Sequence, residues 1–111
     1  MSQKIEKQIV KRMVSDLGKA GWKPVCVYDS EEYVDAKSCK AVCDIVFSVD
    51  ESTVTFAKPG HRNQGVLLIP GNGNDGWDLI TDNNCGDTEF AAVMDSVTDW
   101  CIKTEEARWV A

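Results

Sequence analysis

Histidine is nearly absent from this chain: His61 is the only one in 111 residues. Any acid–base, cysteine–histidine or imidazole–metal chemistry has that single residue to draw on. Basic charge is also scarce, with 12 lysines and arginines against 18 aspartates and glutamates and a net charge of −6. This argues against a general nucleic-acid binder, which needs lysine and arginine to displace counterions from phosphate. Anionic membrane surfaces are disfavoured for the same reason. No apolar run approaches the ~20 residues of a spanning helix. Met1 to Lys23 is a charged amphipathic segment without the apolar core of a secretory signal. The five cysteines, Cys26, Cys39, Cys43, Cys85 and Cys101, are an odd number in no recognisable framework. They read as reduced thiols, which places the chain in a cytoplasm. Internal repeats, linkers and low-complexity tracts are lacking too.

What is present is ordinary for a folded domain: 43% hydrophobic and 27% charged residues, enough to bury a core without staples. One globular domain over residues 1–111 is expected, with a frayed tail from about 105. Charge is uneven. Lys4, Lys7, Lys11, Arg12, Lys19 and Lys23 make the amino end basic, whereas acids dominate from Asp75 onward. Solvated surface explains this pattern; an acidic face that docks on a basic partner is the sharper reading.

Ile5, Ile9, Met13 and Leu17 recur every four residues, so a helix is expected over Ser2 to Lys19, stopped by Gly18 and Gly21. Trp22 to Tyr28 reads as a strand, Asp29-Ser30-Glu31-Glu32 as a turn, and Tyr33-Val34 as the return. Ser38 to Val49 fits two patterns. Cys39, Val42, Cys43 and Val46 have helical spacing behind a Ser38 cap, while Ala41, Cys43, Ile45, Phe47 and Val49 alternate as a strand would. Thr53 to Ala57 alternates as a strand. After the loop Pro59 to Gly65, the apolar run Val66-Leu67-Leu68-Ile69 and the segment Leu79-Ile80 form two more strands around a glycine/asparagine turn. Asp87 or Thr88 caps a last helix carrying Phe90, Val93, Met94, Val97, Trp100 and Cys101.

Chemistry is thinly supplied. His61 sits among Gly60, Arg62, Asn63 and Gln64, and a solvent-facing loop histidine is the expected reading. Cys39 and Cys43 lie one helical turn apart if their segment is a helix, but a structural zinc site needs four ligands. Buried small hydrophobes describe the cysteines better. Gly71-Asn72-Gly73-Asn74-Asp75-Gly76 lacks the lysine and hydroxyl of a P-loop and the acidic spacing of an EF-hand, so it reads as a hairpin turn. No catalytic residue, metal ligand or cofactor is assigned. Trp77 beside the turn and Trp109 in the tail are the tryptophans expected to be exposed. With Asp75, Asp78 and Asp82 they form the candidate partner surface.

Several stretches in order carry a resemblance: Asp29-Ser30-Glu31-Glu32-Tyr33, Lys37-Ser38, Asp50-Glu51-Ser52-Thr53-Val54, Gly65-Val66-Leu67-Leu68-Ile69-Pro70-Gly71-Asn72-Gly73 and Leu79-Ile80-Thr81-Asp82-Asn83. Together they resemble small proteins of bacteriophage, prophage and mobile elements. Those read approximately "DGEEW", "KRS", "TDEDTL", "GWVLLVYGNG" and "LISDYTDN". The resemblance spans about Gly21 to Trp100 and implies a helix, not a strand, after Ser38. Ser30 replaces the usual glycine, Ile69-Pro70 a valine–tyrosine pair, the tyrosine before Thr81-Asp82 is missing, and Asn74 to Trp77 lengthen the turn. No activity comes with this resemblance, hence no catalytic residues.

The expectation is an α+β domain of order α-β-β-α-β-β-β-α. An antiparallel sheet of four to five strands has the first and last helices on one face and a short middle helix. In function it is expected to be a non-enzymatic phage-type accessory protein that binds a host protein, as an anti-defence inhibitor or DNA mimic would. A cysteine enzyme using His61, and a homo-oligomeric structural protein or homodimer, are the alternatives.

Overall fold

The computed structural model describes residues 2–71, 79–83 and 86–110. Helix α1 (Ser2–Lys19) is held by its apolar stripe: Ile9, Val10, Met13 and Leu17 are fully buried, and Ile5 and Val14 are half-buried. Gly21 stops it at φ +96, where the Trp22 amide donates to the Leu17 carbonyl at 2.8 Å and the Gly21 amide to the Gly18 carbonyl at 3.0 Å. This is the paired glycine stop of a Schellman motif, and Leu17 and Trp22 supply its hydrophobic contact.

Strand β1 (Lys23–Tyr28) turns through Asp29, whose Oδ1 accepts the amides of Glu31 and Glu32 at 2.9 and 2.8 Å, into β2 (Tyr33–Asp35). The ambiguous middle segment is helix α2 (Cys39–Val46). The Ser38 Oγ accepts the Ala41 amide at 3.1 Å, an N-cap that no strand would need, and Val42 and Val46 point inward one turn apart. Then come β3 (Ser52–Ala57), β4 (Gln64–Leu68), β5 (Ile80–Asn83) and α3 (Thr88–Val110). The expected element order is met in full. Bounds shift by a residue or a few: β1 begins at Lys23 rather than Trp22, β3 at Ser52 and β4 at Gln64, β5 runs on to Asn83, and the backbone of residues 105–110, expected as a tail, continues α3.

The five strands form one antiparallel sheet ordered β2-β1-β3-β4-β5. Register divides its two faces. Val27, Val54 and Val66 stand opposite one another and are fully buried, as are Phe56 and Leu68 on the same side. They pack beneath α1 and the Phe90, Met94 and Val97 stripe of α3. Burying each such side chain contributes about 1.5–3 kcal/mol. The reverse face carries Tyr33, Tyr28, Thr53, Leu67 and Asp82 in successive cross-strand positions, with Cys26 and Thr55 beside them. No helix covers that side among the described residues.

One polar group is built into the helical layer. Glu6, 1% exposed, accepts the Gly71 amide at 2.7 Å, tying α1 to the chain 65 residues later.

Candidate functional site

Lys58 to His61 is a turn closed by the His61 amide on the Lys58 carbonyl at 3.0 Å. Pro59 suits its second position and Gly60, at φ +84, supplies the positive dihedral required at the third. That turn swings His61 onto the buried Trp22, with ring centroids 5.3 Å apart in an edge arrangement. On the other side stands the start of α3. Asp87 caps this helix, its Oδ1 accepting the Phe90 amide at 3.0 Å. Its second oxygen, Oδ2, lies 2.6 Å from His61 Nδ1. Glu89, two residues on, places Oε2 3.1 Å from His61 Nε2, and its Oε1 accepts from Lys58 Nζ at 2.9 Å.

The only histidine is therefore not a free loop side chain, as expected from its neighbours in sequence. It is 24% exposed, with a carboxylate at each ring nitrogen. The hydrogen bond from His61, then the Phe90 amide, hold the Asp87 carboxyl below its ordinary value. Among the described residues these three side chains form a group whose ligand atoms lie within 4.8 Å of one another. His61 and Asp87 border an open depression of about 550 Å³ that Arg62, Asn63 and Gln64 also line.

Most of the partner surface expected from the sequence falls outside the described residues. Asp75, Trp77 and Asp78 lie outside the described residues. Asp82 is exposed on β5 opposite Leu67, and its Oδ1 accepts the Asn83 amide at 2.8 Å. Trp109 falls in the last turns of α3, and its side chain is outside the described set. What the register brings to the open face is Tyr33, 71% exposed, tilted against Tyr28 with ring centroids 4.8 Å apart and followed across the strands by Thr53 and Leu67. Asp35 and Asp82 mark its two edges.

Of the cysteines, Cys26, Cys39 and Cys43 are half-buried, Cys101 is buried, and Cys85 is outside the described residues. Burial first, and then the neighbouring Cys39 thiol, push the Cys43 thiol up to about 11; burial does the same for Cys101. None of the described cysteines hydrogen-bonds His61, whose nitrogens face carboxylates.

No known protein family, curated protein or solved structure matches the chain. Among the described residues no helix is long and apolar enough to cross a membrane.

Proposed function

We propose that this chain is a non-enzymatic binding domain, an accessory protein of phage or prophage type that engages a basic host protein in the bacterial cytoplasm. The observation that carries this reading is the sheet's uncovered face, where exposed Tyr33, half-buried Tyr28 and Leu67 lie between Asp35 and Asp82. Tyrosines combine apolar area with a polar tip and few rotamers, which suits a contact surface. The net charge of −6 favours a partner of opposite sign and speeds its encounter. A nucleic-acid-binding protein has such a surface, which is the sense in which this chain would act as a DNA mimic or anti-defence inhibitor.

The test is capture from bacterial lysate with wild type and a folded Tyr33→Ser/Leu67→Ser variant side by side. A basic protein retained in stoichiometric amount by wild type, released by salt and lost from the variant, supports the reading. Identical captures from both chains, or none from either, overturn it. Sedimentation of the free chain separates a second copy from a host protein as the occupant.

A further inference from the structure

The His61 cluster has no part in a contact surface on the open sheet face, and its geometry has its own chemistry. We propose that His61 Nε2 and a Glu89 carboxylate oxygen hold a divalent transition-metal ion, with Asp87 orienting the imidazole from the opposite nitrogen.

The distances fit. Metal–nitrogen and metal–oxygen bonds of about 2.0–2.2 Å put two neighbouring ligands roughly 2.8–3.5 Å apart at tetrahedral or octahedral angles. His61 Nε2 and Glu89 Oε2 stand 3.1 Å apart. An ion to one side of the line between them can stand at bonding length from both. Asp87 Oδ2, 2.6 Å from Nδ1, accepts the proton that must then reside there. This fixes the tautomer whose Nε2 lone pair is free, the usual outer partner of a metal-bound histidine. Lys58 Nζ occupies Glu89 Oε1 at 2.9 Å and leaves Oε2 turned to the ring. Imidazole with carboxylate suits zinc, nickel or copper better than magnesium or calcium, which take oxygen ligands.

Two features limit the affinity. The ammonium of Lys58 and the guanidinium of Arg62, which lines the same depression, oppose a cation. Only two ligands come from the protein, so water from the depression fills the remaining positions. The site is an exchangeable one, distinct from a closed structural zinc centre.

Because the chain has one histidine, its ring resonances report the site without ambiguity. Zinc is titrated into the full chain under reducing conditions while the imidazole nitrogen and ring-proton signals are followed by NMR. Saturable movement of those signals at one ion per chain is expected. Glu89→Gln should weaken binding tenfold or more, and Lys58→Met should strengthen it. Ring signals unmoved at millimolar zinc overturn the proposal, as does unchanged affinity in Glu89→Gln or weaker binding in Lys58→Met. An ion held by thiols elsewhere leaves the ring unmoved and counts as overturning.

Discussion

His61 Nδ1 and Asp87 Oδ2 stand 2.6 Å apart across 26 residues, joining the Pro59–Gly60 turn to the first turn of α3. Asp87 thereby serves two donors, the imidazole and the helix amide of Phe90. Its folded carboxyl titrates below the unfolded one, so the stability it confers is present above about pH 4 and disappears as pH falls through the folded value. Urea unfolding of Asp87→Asn across pH 2 to 6 should show a shallower acid limb than wild type, by a fraction of the slope of one proton. Asp29, lowered by the Glu32 and Glu31 amides, keeps part of the limb in either chain. Superimposable profiles would sink this assignment.

Ser30 is the one non-glycine residue at positive φ, +81, among the described residues. A left-handed L-residue costs about 1–2 kcal/mol, and the Ser30 hydroxyl recovers part by donating to the Glu51 carbonyl at 3.1 Å. Ser30→Gly should therefore raise stability by about 0.5 kcal/mol, and Ser30→Val should lower it by more than about 1 kcal/mol. Chemical denaturation measures both; destabilisation by glycine would mean that the hydroxyl tie outweighs the backbone strain.

Phe90 closes the aromatic centre of the core, 5.1 Å from Trp22 and 6.1 Å from Phe56 between ring centroids. Phe90→Ala should cost about 3–5 kcal/mol and Phe90→Leu under about 1.5 kcal/mol. Midpoints of guanidinium unfolding distinguish the two, and an alanine loss below about 1 kcal/mol would place Phe90 outside the core.

The raised thiols give a reactivity test. Moving Cys43 and Cys101 from 9.0 to about 11 lowers their thiolate fraction at neutral pH about a hundredfold. Alkylation followed by mass spectrometry should be slower by that order than for a free thiol, rising tenfold per pH unit toward 11. A Cys43 that reacts as fast as a small-molecule thiol in the folded chain contradicts its burial.

The elements that bury a continuous stripe were legible before any coordinates. Ile9, Met13 and Leu17 define α1, and Phe90, Met94 and Val97 define α3. For α2, periodicity stayed divided because only Val42 and Val46 are fully buried, and its other apolar residues sit half in solvent. The capping bond at Ser38 is what separates helix from strand. The extension of α3 past Glu105 has no apolar repeat to announce it. The His61 cluster was illegible for another reason: its residues lie on a turn and a helix start brought together by β3, β4 and the hairpin, and no local spacing links them. Asp87 was visible as a helix cap, but its second oxygen's partner depends on the fold. The tyrosine pair of the open face likewise emerges only from the β1–β2 register.

Glu6 and Gly71 set a timetable for synthesis. Glu6 leaves the ribosome 65 residues ahead of the amide it binds, a delay of roughly 3–13 s at about 5–20 residues per second. Throughout that interval α1 has neither its polar anchor nor α3, which packs along it and follows Gly71 in the chain. Until α3 follows, the nascent chain presents the Ile9, Met13 and Leu17 stripe rimmed by exposed Lys7, Lys11 and Arg12.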